Sequence, residues 1–143
     1  MNTAELLTQV FYNNFTAYYR SHVAHVNIMG RNFKSDHELL GGIYEDLQSQ
    51  IDTIAELLRT LDEFMPSEIQ FVLNESTIST AIFEGDADEL LEGVKADLET
   101  LKSFYEELMI TAEAEGHDEI ANYSQDRILA LAKKIWMLEA TLS

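Results

Sequence analysis

The chain of 143 residues contains no cysteine, which excludes disulfide frameworks, thiolate metal sites and cysteine nucleophiles. With one proline and six glycines it is also poor in breakers, so residues 1–143 are expected to form one mostly regular domain. No apolar run approaches the roughly 20 residues that cross a bilayer. The N-terminal stretch lacks the basic and apolar regions of a signal peptide, so a soluble cytoplasmic protein is expected. Positive charge is scarce as well: nine Lys and Arg against 26 Asp and Glu give a formal net charge of −17. Such a surface repels phosphate, and no basic tail offsets it, which disfavours direct DNA binding. The same surface attracts divalent cations.

What is present is helical periodicity. A first helix opens on an Asn2–Glu5 capping box and carries the seam Phe11, Phe15, Tyr18, His22, His25, Met29, with Gly30 placed to end it. Ser35 and Glu38 form a second capping box, which puts His37 in the first turn of the next helix. Leu40, Ile43, Leu47, Ile54, Leu58 and Leu61 carry that helix to about Asp62, with Asp52 and Glu56 one turn apart on a different stripe. From Asp62 to Asp86 the pattern breaks around Pro66, and Ser67 with Gln70 suggests a short helix over 67–75. A third helix starts at the Asp86–Glu89 box and stops at Gly116, and a fourth runs from about Asp118.

The connection over 62–86 is long enough to return along a helix of ~28 residues, ~42 Å. Read as a crossover, it makes the second and third long helices parallel. The expected fold is all-α, a ferritin-like four-helix bundle with a short helix in the crossover.

Three of the four histidines, His22, His25 and His37, lie between Ser21 and Arg59 together with Asp52 and Glu56. Imidazoles and carboxylates at these intervals are transition-metal ligands when folding or assembly brings them together. The usual di-iron bundle takes a Glu-x-x-His from two of its helices, and that tetrad is absent here. Alone, Asp52 and Glu56 would be a solvated like-charge pair, slightly destabilising unless a cation sits between them. His22, on an apolar seam, reads as a core residue, and His117 as a surface one.

The segment from His25 to Arg59 resembles the Dps-type miniferritins. Their hallmark is a His, a Gly five later, a Phe, a second His followed by Glu, then an Asp-x-x-x-Glu; His25, Gly30, Phe33, His37, Glu38, Asp52 and Glu56 match it. The stretch from Gly116 to Leu142, with Lys134 and Trp136-Met137-Leu138, resembles the family's fourth helix. The resemblance implies a hollow dodecamer with ferroxidase sites between subunits, in which His25 and His37 of one chain face Asp52 and Glu56 of another. It implies iron as the metal, hydrogen peroxide as the favoured oxidant, and ferric mineral stored inside. Asp118, Glu119 and Asp126 lie near the family's pore acids, although helix-cap and surface roles suit them equally.

Three departures stand out. The acid that usually follows the second His by four residues is Gly41, which removes an oxygen donor and weakens the site. Asp46 and Glu45 are the neighbouring acids that could replace it. The Trp usual after the first His is Val26, and the basic N-terminal extension of DNA-binding members is missing. Two other readings are therefore kept: a catalytically impaired shell with a structural or binding role, and a small helical bundle with no cavity.

Overall fold

Five helices and no strand make up the computed structural model, which describes all 143 residues: α1 (Thr3–Asn27), α2 (Phe33–Thr60), α3 (Ile69–Glu75), α4 (Ala87–Ala114) and α5 (Asp118–Leu142). The capping boxes expected at Asn2–Glu5 and Asp86–Glu89 are both formed, so two of the long helices begin where their side chains satisfy the first free N–H groups. Gly116, in the left-handed region at φ 81°, separates α4 from α5.

Cross-helix contacts fix the topology. His25 packs on Gly41 while Asn14 Nδ2 donates to the Leu47 carbonyl at 2.9 Å, so α1 and α2 run antiparallel. The Thr3 N–H donates to Glu115 Oε1 at 2.9 Å and Arg20 Nε meets Asp97 Oδ2 at 2.6 Å, so α1 and α4 are also antiparallel. It follows that α2 and α4 are parallel, as the crossover reading requires.

Three local expectations are corrected. Helix α2 starts at Phe33 with Asn32 as its N-cap, so Ser35 and Glu38 form no capping box; Ser35 Oγ instead donates to the Asn32 carbonyl at 3.1 Å. His37 therefore sits in the second turn, where Phe33, one turn earlier, stacks on its ring at 5.0 Å. The short helix spans Ile69–Glu75 with Glu68 at its cap and no side-chain cap bond, so Ser67 does not start it.

The third correction concerns the seam of α1. Its fully buried stripe is Leu6, Leu7, Val10, Phe11, Ala17, Ala24 and then Ile28, while Phe15, Tyr18, His22 and His25 lie half-buried beside it. The small residues Ala17, Ser21 and Ala24 let the neighbouring helices approach, and the bulky ring-bearing residues flank that contact. Because α1 ends at Asn27 and Ile28 turns inward in extended backbone, Met29 is left 79% exposed.

The crossover is tied down by polar groups of α1. Asn13 Oδ1 accepts from the Thr77 N–H and Asn13 Nδ2 donates to Thr77 Oγ1, both at 2.9 Å, and Gln9 Nε2 donates to the Glu75 carbonyl at 3.0 Å. Further on, Phe83 lies under the Arg20 guanidinium at 4.0 Å and fills the space beside Gly93, where an added Cβ would come within 2.4 Å of its ring.

Between α2, α4 and α5 the interior is polar. Arg127 donates through both terminal nitrogens to Asp46, at 3.1 and 2.8 Å. Tyr123 donates to Gln50 Oε1 at 2.6 Å and its hydroxyl lies 3.4 Å from that of Tyr105. Burial works against the Arg127 charge, but Asp46, with Tyr105 and Tyr123 beside it, offsets this and raises the guanidinium pKa. Burial pushes both phenols well above the usual tyrosine range.

Candidate metal centre

His25 and His37 come together beside the turn that joins α1 to α2, in a reciprocal clasp. His25 Nδ1 lies 2.7 Å from the His37 carbonyl oxygen, and His37 Nδ1 lies 2.7 Å from the His25 carbonyl oxygen. A carbonyl only accepts, so each Nδ1 carries a proton, and in the neutral imidazole the lone pair available to a metal is then on Nε2. The two rings stack at 3.8 Å, and Phe33 covers the outer face of His37. The clasp thus locks both tautomers and both ring planes before any metal arrives.

Asp52 and Glu56 lie on the same helix, exposed and one turn apart. The hydrogen bond to Asp52, followed by the Asp52 charge, holds the Glu56 carboxyl above its ordinary pKa. They begin fifteen residues beyond His37, ~22 Å along the axis of α2. No three His, Asp or Glu side chains of a single chain converge on a point that could hold a metal ion. Within one chain the two histidines meet each other but not the two carboxylates.

The ferritin-like domain family matches residues 4–143. The chain is 31% identical to the DNA protection during starvation protein of Brevibacillus brevis, over 97% of this chain and 93% of that one. It is 29% identical to the protein of the same name from Helicobacter pylori, over the full length of both. The chain belongs to the ferritin-like family as a Dps-type miniferritin. The Dps protein of Vibrio cholerae, described as a member of a broad superfamily of ferritin-like diiron-carboxylate proteins, superposes with a TM-score of 0.93 at 26% identity, over 99% of this chain and 89% of that one.

In this miniferritin the position of Gly41 is not an empty ligand site. A Cβ there would lie 3.0 Å from His25 Cε1 and 3.2 Å from Nδ1, so a side chain at this position requires the clasped imidazole to give way by a few tenths of an ångström. Asp46 cannot replace the missing donor, because Arg127 holds its carboxylate from inside the bundle. Glu45 is exposed and bonds no other residue of the chain.

Behind the clasp lies an aromatic cluster that sequence reasoning passed over. Tyr44, on α2, tilts against His25 at 4.9 Å and stacks on His22 at 4.0 Å and 2°. The Tyr18 hydroxyl faces His22 Nδ1 at 3.4 Å. His22 is thus a half-buried packing residue, close to the structural role expected of it. The available signal for Tyr44 was its seven-residue step from His37, which returns to nearly the same helix face.

Asp118 and Glu119 open the first turn of α5, where carboxylates suit the positive helix end, and Asp126 lies two turns on. All three are exposed, and one chain does not bring them together. His117 is the N-cap of α5 and makes no side-chain cap bond. Trp136 is 62% exposed in the single chain. No helix is long and apolar enough to cross a membrane.

Proposed function

We propose that this miniferritin is a ferroxidase and iron store: two copies pair so that His25 and His37 of one chain and Asp52 and Glu56 of the other bind ferrous iron. Hydrogen peroxide is the favoured oxidant, and it takes the electrons without releasing hydroxyl radical. Ferric oxide then collects inside a dodecameric shell in the cytoplasm, with Asp118, Glu119 and Asp126 drawing cations to its pores. The observation that carries the reading is the clasp, which presents two lone-pair Nε2 atoms from one chain. It is matched by a carboxylate pair on the same helix that its own chain leaves without a cation. Imidazole and carboxylate together suit ferrous iron, and the net charge of −17 suits a cation store better than a DNA-binding surface.

The test is ferrous oxidation by the metal-free protein, with peroxide and with oxygen, in the wild type and in His25→Ala and Glu56→Ala. Oxidation no faster than in buffer, or equal in all three proteins, would sink the ferroxidase reading. Light scattering checks the shell: twelve chains of 16.3 kDa give about 196 kDa, and a particle near one chain mass removes both shell and shared site. A gel shift at low salt should show no DNA retardation.

A second reading, a shell with an impaired centre, is favoured by Gly41 and by the capture of Asp46. Under that reading the particle still forms at the dodecamer mass, while iron oxidation is indifferent to His25→Ala.

A further inference from the structure

We propose that Tyr44 is a redox-active residue of the iron site, giving up one electron through His25 when peroxide meets a centre that holds a single ferrous ion. The proposal rests on the ferroxidase reading and extends it to a residue outside the donor set.

The need is set by electron count. Peroxide takes two electrons on reduction to water, and each ferrous ion supplies one. With Gly41 in place of an acid and Asp46 bound to Arg127, the centre is short of oxygen donors for a second iron. Without another donor, one-electron cleavage of the peroxide O–O bond at a lone ferrous ion releases hydroxyl radical beside the protein.

Tyr44 is placed to prevent that. It is the one tyrosine whose ring touches a ring of the histidine clasp, 4.9 Å from His25. His25 and His37 stack at 3.8 Å, so the phenol is one van der Waals contact from the imidazole that would hold the metal. One face of the Tyr44 ring lies flat on His22, and Tyr18 follows at 6.4 Å, so the ring belongs to a contiguous aromatic cluster rather than to an isolated position. Val26, exposed beside the clasp, offers no oxidisable ring.

The step balances. One ferrous ion, one Tyr44 phenol, one peroxide and one proton give one ferric ion, one Tyr44 phenoxyl radical and two waters. The O–O bond breaks, iron and tyrosine are each oxidised by one electron, and peroxide is reduced. The phenol O–H breaks and its proton goes to water at the half-exposed ring edge. A later ferrous ion restores the phenol by returning one electron with a proton from water.

The experiment is freeze-quench electron paramagnetic resonance on the assembled metal-free protein, given substoichiometric ferrous iron and equimolar hydrogen peroxide. Peptide mass spectrometry of the wild type then locates the oxidised residue. The expected result is an organic radical in the wild type and in Tyr18→Phe, its loss in Tyr44→Phe, and oxidation products on Tyr44. Mapping on the unsubstituted protein keeps the test valid should Tyr44→Phe fail to assemble. A radical undiminished in Tyr44→Phe, products confined to other residues, or rapid His25-dependent iron oxidation with no radical would each overturn the proposal while leaving the ferroxidase reading intact. No iron oxidation by the wild type overturns both.

Discussion

Gly41 and Gly42 are adjacent on α2, and the clasp makes them respond in opposite ways to the same substitution. Gly42 has open space around its Cα, so Gly42→Ala gains the helix preference of Ala over Gly, ~0.5–1 kcal/mol. Gly41→Ala has the same gain, but its Cβ arrives 3.0 Å from His25 Cε1. That ring has little freedom to move: Nδ1 is bonded at 2.7 Å to the His37 carbonyl, and the ring is stacked on His37 at 3.8 Å. Overpacking costs ~1–3 kcal/mol, and loss of the clasp bond adds ~1 kcal/mol. The two variants should therefore differ by ~2–4 kcal/mol, which is ~5–15 °C in melting temperature for a chain of this size. Thermal unfolding of the metal-free proteins reads the difference. Gly41→Asp extends the argument, because it adds the missing carboxylate yet carries the same Cβ. Calorimetric titration with Zn²⁺, which undergoes no redox chemistry, should find its affinity no higher than the wild type. If Gly41→Ala proves as stabilising as Gly42→Ala, or if Gly41→Asp binds Zn²⁺ more tightly, then the ring does not fill that space and the reasoning fails.

Three further outcomes follow from the packing. Gly93→Ala should expel Phe83 from beneath Arg20, lowering stability by ~1–3 kcal/mol and speeding proteolysis within the crossover, whereas Gly116→Ala should leave proteolysis there unchanged. Asp36 is buried with Oδ1 unpartnered, and burial together with Asp88 raises its pKa above 3.8. Because its folded-state pKa is the higher one, the folded state holds the proton more tightly, and stability is lost as pH rises through that raised value. Asp36→Leu should thus stabilise by ~1–3 kcal/mol near neutral pH, and by clearly less below pH 3.8, as denaturant melts at the two pH values would show. Arg127→Met should cost about 3 kcal/mol by leaving the Asp46 carboxylate without its partner, and adding Asp46→Leu should recover most of that loss in a double-mutant cycle.

Much of the fold was legible because periodicity and caps report local physics. Asn2–Glu5 and Asp86–Glu89 satisfy their own helix ends regardless of what packs on them, and both boxes formed. Ser35–Glu38 has the same pattern but lost to a competing local contact, since Phe33 stacks on His37 one turn away and the helix starts early enough to carry it. The α1 seam was displaced for a related reason. Bulky residues at heptad spacing drew attention to Phe15, Tyr18 and His22, whereas the tight contact is made by Ala17, Ser21 and Ala24, which have little hydrophobic signal of their own. Within the candidate site, His25, His37, Asp52 and Glu56 stood out through the resemblance to the miniferritin pattern rather than through spacing, and the clasp was legible in neither. It depends on two backbone carbonyls that no pattern of side chains encodes.

The interior of the bundle gives a reason for any metal chemistry to sit on its surface. In di-iron bundles of the usual kind, Glu and His side chains from the helices point inward and share the ions. Here the equivalent space between α2, α4 and α5 holds the Arg127 guanidinium, paired to Asp46, with Tyr105, Tyr123 and Gln50 hydrogen-bonded beside it. A buried fixed cation repels a second one strongly in a low-dielectric interior, and the only carboxylate within reach is already neutralised. Removing Arg127 frees a single carboxylate, Asp46, and leaves beside it only phenols held protonated by burial and one amide, too few donors for an iron site. The polar core therefore acts as structure alone, and the candidate imidazole and carboxylate donors lie apart from it on α1 and α2, where under the proposed pairing a second copy of the chain would complete the set.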